Sequence, residues 1–376
     1  MDYPLVHLSM FFLLISTGTM QAHSCFERVF SFGDSMMDTG NACLLAGGKY
    51  PTMSPPFGET YFHKPNGRWC DGRMVIDFIA QAYGLPPMPP SMGGNTTEYF
   101  QNGANFAVAA ALALNNSFYK RVTGLDPPHP EDHSLGVQLQ SFKNLLPIIT
   151  KGSSVNGVMS SSLFVVGEIG GVDYVYSFLG NKSVFQILSL VPYIVAAIGS
   201  AVNDLANLGA TTLIVPGMYA VGCAPATMIR FQSNNTEDFD IQTGCLKRLN
   251  QFAIYHNSML MIELAKQRKL HPRANIIYAD YYGAQSLLYL NKLDFPAPLY
   301  ACCGVPGPYN VSTTMISCGT KGSETCPNPQ NYISWDGGHL TEAANHAIAN
   351  GILYGPFATP PLQSCSDQRS DHTYII

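Results

Sequence analysis

Two short segments of this chain, far apart in sequence, carry side chains that could together do nucleophilic chemistry. Near the start, Val29-Phe30-Ser31-Phe32 is an apolar, β-prone run that stops abruptly in Gly33-Asp34-Ser35. Gly33 permits a tight turn, and Asp34 and Ser35 can cap a following helix. The pattern predicts a serine hydroxyl at the C-terminal end of a strand and the N-terminal end of a helix. Open α/β sheets bind ligands there, and backbone N–H groups can stabilise an anion. Near the other end, Asp336-Gly337-Gly338-His339 sets a carboxylate and an imidazole three residues apart, just before a helix. A serine hydroxyl needs a base to take its proton, and the base needs an orienting acceptor. Ser35, His339 and Asp336 could fill those roles at one sheet edge. Taken singly, each motif has a plainer reading: a capped turn for Gly-Asp-Ser, a solvated loop pair for Asp-x-x-His.

The elements around them must bring residues 35 and 339 together. Strand-like apolar runs recur at 28–32, 163–167, 212–216 and 275–279, with helical patterns between them. Helices are expected after Asp71-Gly72 at 73–83, and over 247–269, which ends in the basic residues that suit a helix C-terminus. Thr341 is a plausible N-cap for a final helix. Val191, Ile194, Val195, Ile198, Val202 and Leu205 sit at helical spacing. That stretch reads as a buried helix rather than a membrane span, with Ser189 and Pro192 interrupting it. Strands alternating with helices predict one α/β domain with a central parallel sheet covered on both faces. Long Gly/Pro/Asn-rich loops at 43–68, 87–99, 124–134, 231–244 and 296–330 are expected to wall a site above the sheet edge.

Composition narrows the partners. The chain has 376 residues, is 46% hydrophobic and only 12% charged, and carries a net charge of −5 with no basic run. No nucleic-acid partner is expected. Residues Leu5 to Gly18 form a short apolar run, and Ala22-x-Ser24 supplies small residues at signal-peptidase spacing. The run carries Asp2 and no Lys or Arg before it, and it is short for a membrane span. The reading is a signal peptide over 1–24 and a single domain over 25–376, secreted to the cell exterior or the vacuole, with no stable membrane insertion. The alternative is a buried N-terminal helix. Ten cysteines (25, 43, 70, 223, 245, 302, 303, 318, 326 and 365) fit several disulfides in a secreted chain. Cys302, Cys303, Cys318 and Cys326 predict a stapled loop; no His lies among them to favour zinc. Sequons at Asn95, Asn115, Asn181, Asn234 and Asn310 are candidate glycosylation sites.

Other candidates take the plainer reading. His129 and His133 lie in a Pro-rich acidic loop and are expected to be solvated. His256 sits at an apolar helical position and is expected to be a packed, satisfied histidine. No Gly-x-Ser-x-Gly elbow, phosphate loop, dinucleotide fingerprint or His-Glu-x-x-His motif occurs, so no metal or other cofactor is expected.

Phe30-Ser31-Phe32-Gly33-Asp34-Ser35-Met36-Met37-Asp38-Thr39-Gly40-Asn41 resembles block I of the GDSL (SGNH) family of serine esterases and lipases. Gly67-Arg68-Trp69-Cys70-Asp71-Gly72-Arg73 is similar to the family's Gly-Arg-x-Ser-Asp-Gly-Arg, with Cys70 in place of Ser. Gly103 to Ala111 resembles block II, Gly167 to Tyr174 resembles block III, and Asp336-x-x-His339 resembles the last block. Pro216-Gly217 and Gly222-Cys223 fit the block after block III. Asn-Phe-Ala-Val-Ala at 105–109 and Ile-Ile-Tyr-Ala-Asp-Tyr-Tyr at 276–282 are similar to the plant acetylajmalan esterase and sinapine esterase subgroup. The resemblance spans Phe30 to about Ala344. It implies one SGNH-hydrolase-like three-layer domain, no cofactor, and hydrolysis of a small carboxylic ester such as one of a plant specialised metabolite. It also implies Ser35 as nucleophile, His339 as base and Asp336 as orienter.

Two departures accompany the matches. The family's oxyanion hole takes a backbone N–H from a block II Gly and a side-chain amide from a block III Asn. The corresponding residues here are Ala110 and Val172. Ala110 keeps a backbone N–H, beside that of Ser35, but cannot easily adopt a glycine-only conformation. Val172 donates nothing. Losing one such donor costs on the order of 10²–10³ in rate. Ionised Asp173 is no substitute, since it only accepts. The expectation is a serine esterase with a weakened oxyanion hole. The alternatives are an enzyme repurposed for acyl transfer, cyclisation or elimination, and a protein that only binds.

Overall fold

The computed structural model describes residues 25–291, 294–312 and 318–362. The segment read as a signal peptide and Cys365 lie outside the described residues. Six strands form one sheet: β1 (Arg28–Phe32), β2 (Gly103–Asn105), β3 (Ser162–Val166), β4 (Thr212–Pro216), β5 (Asn275–Ala279) and β8 (Ala358–Thr359). Their order is β2-β1-β3-β4-β5-β8, parallel throughout except for the antiparallel edge strand β8. A second, two-stranded ribbon pairs β6 (Cys303–Gly304) with β7 (Glu324–Thr325). The four strands read from the sequence stand where expected, β3 one residue earlier. The short β2 and β8 escape such a reading because three and two residues carry too little pattern.

The helices are α1 (Asn41–Leu45), α2 (Val75–Ala82), α3 (Asn116–Thr123), α4 (Leu135–Ile149), α5 (Val155–Ser160) and α6 (Gly171–Leu179). They continue with α7 (Val184–Leu188), α8 (Val191–Asn207), α9 (Pro225–Arg230), α10 (Lys247–Leu270), α11 (Tyr281–Leu290) and α12 (Glu342–Leu353). Alternation along the strands sorts them into two layers. Phe30, Phe32, Phe164, Val166, Leu213, Val215, Ile276 and Tyr278 share one core with α3–α8 and α10. Val29, Leu163, Val165, Ile214 and Ile277 share the other with α2, α11 and α12. The result is the expected three-layer α/β domain.

Pro192 does not interrupt a helix. It lies in the first turn of α8, where a missing N–H costs nothing, and Ser189 ends α7. The stretch Val184–Asn207 is long and apolar enough to cross a membrane. Its inner face, Val191, Ile194, Ile198, Val202 and Leu205, is instead buried on the sheet. Disulfides join Cys223–Cys245, Cys302–Cys326 and Cys303–Cys318, and Cys25 is also disulfide-bonded. The expected stapled loop is real. Cys43 and Cys70 are buried thiols.

Strand order reverses between β1 and β3, so their C-terminal ends flank the crevice where sheets of this kind bind ligands. Ser35 follows β1, and residues 167–173 follow β3.

Candidate active site

The turn that presents Ser35 is held from three sides. A Cβ on Gly33 would lie 2.7 Å from the Glu168 carbonyl oxygen, so only glycine lets the two segments approach. Gln138 clamps Gly33, accepting from its N–H at 2.8 Å and donating to its carbonyl at 2.8 Å. Asp34 N–H donates to the Glu168 carbonyl at 3.1 Å, and the Asp34 carbonyl accepts from Met37 and Asp38 N–H. The expected helix does not follow Ser35 directly; Asp34–Asp38 form a turn, and α1 starts at Asn41. Asp38, two residues before the α1 N-cap Gly40, satisfies the start of that helix. Its carboxylate accepts from Gly40, Asn41 and Ala42 N–H, and from Ala109 N–H across the crevice. That residue thus ties the Ser35 turn to the loop after β2.

Asp336 and His339 meet Ser35 across the sheet edge. His339 Nε2 lies 2.8 Å from Ser35 Oγ, and its Nδ1 lies 2.7 Å from Asp336 Oδ2. Asp336 Oδ1 accepts from His339 N–H at 2.8 Å and Gly338 N–H at 3.0 Å. Burial alone would raise the Asp336 carboxyl. The imidazole and the two N–H donors outweigh it and hold the group below its ordinary value. The segment is anchored by Trp335 N–H to the His339 carbonyl and by Thr341 N–H to the Ile333 carbonyl. Thr341 also caps α12 through Ala344 N–H. The stapled loop bonds the same segment: Cys302 and Cys303 N–H donate to the Ser334 and Trp335 carbonyls.

Trp69 stacks on the His339 ring at 4.9 Å and 23°. Its neighbours fix that wall. Arg68 makes a buried bidentate pair with Asp77 at 2.8 and 2.9 Å. Arg73 pairs with Glu342 at 2.7 Å, and Glu342 N–H donates to Asp71. Cys70 accepts from Gly72 N–H and Asn345 Nδ2 and sits beside Asp71, so its thiol stands in the polar network a hydroxyl could fill. The sequence alone singles out neither Trp69 nor Asp38 for a role, although both stand in the motifs quoted above.

The opposite wall differs. Ala110 sits at φ 64°, in the left-handed region that favours glycine. The backbone N–H groups of Ser35 and Ala110 donate to no group among the described residues. Val172 is the second residue of α6, half-buried and packed against the core. Asp173 accepts from Ala113 and Leu114 N–H at 2.8 and 3.2 Å, and burial raises its carboxyl to about 7. Tyr174 hydroxyl meets His256 Nδ1 at 2.8 Å, which satisfies the buried histidine as expected. His129 departs from its expected solvation: its Nε2 lies 2.7 Å from the Ala109 carbonyl, beside Ala110. His133 is likewise only partly exposed, against His129.

Asn95, Asn115, Asn181 and Asn234 are exposed, whereas the Asn310 amide donates to the Ala301 carbonyl. No cluster of His, Cys, Asp and Glu suited to a metal occurs among the described residues. A groove of about 510 Å³ lies between α3, α4 and α8, but neither Ser35 nor His339 lines it.

Comparison with known proteins agrees with the geometry. The model of the family described as GDSL-like lipase/acylhydrolase matches residues 29–352. A GDSL esterase/lipase of Arabidopsis thaliana is 44% identical over 347 residues, covering 90% of this chain and 87% of its own. A second from the same plant is 43% identical over 370 residues, covering 95% and 91%. The sinapine esterase of Brassica napus is 43% identical over 356 residues, covering 92% and 90%. The chain belongs to the GDSL-like lipase/acylhydrolase family, and it is a carboxylic ester hydrolase of that type.

Proposed function

We propose that this chain hydrolyses a small carboxylic ester through Ser35, His339 and Asp336, with an oxyanion hole short of one donor. Ser35 Oγ attacks the ester carbonyl carbon as its proton passes to His339 Nε2. Asp336 holds the ring by Nδ1 and stabilises the imidazolium. The backbone N–H groups of Ser35 and Ala110 receive the oxyanion. His339 returns the proton to the departing alcohol, then deprotonates a water that attacks the acyl carbonyl, and passes that proton to Ser35 Oγ as the acid leaves. No cofactor enters. The observation that carries this reading is the unbroken relay of 2.8 and 2.7 Å from Ser35 through His339 to Asp336. Val172, with no polar atom, supports the missing donor.

The substrate class we favour is an ester of a plant specialised metabolite, supported by similarity to a sinapine esterase. Secretion is supported by the apolar run at 5–18 and by the disulfides. Glycans are proposed at Asn95, Asn115, Asn181 and Asn234, and at Asn310 only if its amide leaves Ala301. The deciding experiment is labelling with a serine-reactive fluorophosphonate. The native chain takes the label and Ser35→Ala does not. Equal labelling of both, or of neither, removes Ser35 as nucleophile.

A further inference from the structure

His129 makes a hydrogen bond that the mechanism above leaves unused. It lies in the loop between α3 and α4 and is partly buried. Its Nε2 lies 2.7 Å from the Ala109 carbonyl oxygen. A carbonyl only accepts, so Nε2 carries the hydrogen and donates. The peptide unit that holds this carbonyl also holds the Ala110 N–H. In a trans peptide the two groups point in opposite directions from one rigid plane. A donor fixed on the carbonyl therefore fixes where the Ala110 N–H points.

The neighbouring bonds lead to the nucleophile turn. Ala109 N–H donates to Asp38 Oδ2 at 2.8 Å, and Val108 N–H donates to the Gly33 carbonyl at 3.2 Å. These bonds set residues 108–110 alongside Gly33–Asp38, the turn that carries Ser35. Both are made by earlier peptides. Among the described residues, His129 supplies the one hydrogen bond to the Ala109–Ala110 peptide itself. The loop that carries His129 is held in turn. Gln138, which clamps Gly33 at both its N–H and its carbonyl, also donates to the His133 carbonyl at 3.0 Å. Asn116 Nδ2 donates to the His129 carbonyl at 3.0 Å. Asp132 accepts from Asn116 and Ser134 N–H at 3.2 and 2.9 Å. Ala110 itself sits at φ 64°, and a residue other than glycine keeps such a conformation only where its surroundings hold it.

We propose that His129 is a positioning residue that holds the Ala110 N–H on the oxyanion through the Ala109 carbonyl; this rests on the ester-hydrolase reading of Ser35. As Ser35 Oγ bonds to the carbonyl carbon, the C=O electron pair moves to oxygen and the Ser35 proton goes to His339. The Ala110 N–H donates to that oxygen and keeps its hydrogen. At the other end of the same amide, the His129 N–H draws electron density toward the Ala109 oxygen and strengthens the Ala110 N–H as a donor. His129 touches neither the substrate nor the reacting atoms. With no donor at residue 172, more of the charge falls on this amide, and its aim matters more.

The test is p-nitrophenyl acetate hydrolysis by the native chain, His129→Ala and His129→Gln. Each is also inhibited with a trifluoromethyl ketone, whose adduct with Ser35 carries an oxyanion. Fluorophosphonate labelling of the native chain and of Ser35→Ala runs beside them. His129→Ala should lower kcat by about tenfold, less than the loss on the order of 10²–10³ that follows removal of a donor outright. KM should change by less than about twofold, because the ground-state carbonyl draws little on the N–H. The inhibition constant of the ketone should weaken by the factor that kcat falls. His129→Gln, whose amide can donate to the same carbonyl, should recover most of both losses. No loss in the Ala variant, a loss carried by KM, or equal losses in Ala and Gln would overturn the proposal, and a native chain that still labels would leave Ser35 as nucleophile. Should His129→Ala not fold, His129→Leu, which fills the space without a donor, takes its place in each comparison. A native chain that neither labels nor hydrolyses the ester removes Ser35 as nucleophile, and this role of His129 with it.

Discussion

The two walls of the crevice are built to different standards. On the His339 side every polar atom of the relay has a partner. Asp336 uses both oxygens, His339 both ring nitrogens, and Trp69 covers the ring. On the α6 side Asp173 and Tyr174 are paired, yet no side-chain donor stands at residue 172. The Val172 side chain has no polar atom, and Ala110 occupies a glycine conformation. On the proposed reading, the proton-transfer half of the site is complete while the charge-stabilising half is short of one donor. These halves are separable in physical terms. A relay needs three groups in line, whereas an oxyanion needs any donors that converge on one point.

The sharpest way to break this comparison is to damage the complete wall. Asp336→Asn removes the acceptor that orients His339 and stabilises its charge, so kcat should drop by roughly 10³–10⁴-fold. Esterase kinetics with the folded variant measure it. A drop under tenfold would mean that the His339 wall is no better organised for catalysis than the other.

The next effect is a gain. Val172→Asn places an amide where the α6 wall lacks one, and an interaction made mainly in the transition state raises kcat rather than tightening binding. The gain on p-nitrophenyl acetate should approach about 10²-fold. An unchanged or lower rate, both alone and with Ala110→Gly, would mean that the missing donor limits nothing. The amide would then be buried without partners at a cost of roughly 1–3 kcal/mol.

How legible each wall is in the sequence follows the same division. Strands β1, β3, β4 and β5 can be read because apolar residues in a row mark a strand buried on both faces. Strand β2 cannot, because Gly103–Asn105 is held by its neighbours and not by its own pattern. Ser35, Asp336 and His339 can be named because each sits in a short motif with turn residues around it. The capping role of Asp38 is hidden: a carboxylate that collects four backbone N–H groups looks, in sequence, like any loop aspartate. His129 departs from the expected solvation because the carbonyl it meets is twenty residues away.

The smallest expected effect tests what holds the α6 wall in place. Tyr174, in the first turns of α6, meets His256 of α10, and burial lowers that imidazole to about 4. A group whose folded value lies below its ordinary 6.5 contributes stability in full above 6.5 and loses it as pH falls through about 4. The opposite sign applies to Asp34 and Asp173. Burial holds both at about 7, so they favour the folded form increasingly as pH falls from 7 toward 3.8. The stability of the native chain is therefore a sum of opposing slopes, and only a difference isolates the imidazole. Between pH 7 and pH 4.5 the native chain should lose about 2–3 kcal/mol relative to His256→Gln, measured by urea unfolding of both. Asp336, held below its ordinary value on the other wall, adds the same slope to both proteins and cancels. Parallel pH profiles for the two would mean that His256 is solvated or already protonated. The α6 wall would then owe its position to apolar packing and to the Asp173 bonds from Ala113 and Leu114 N–H.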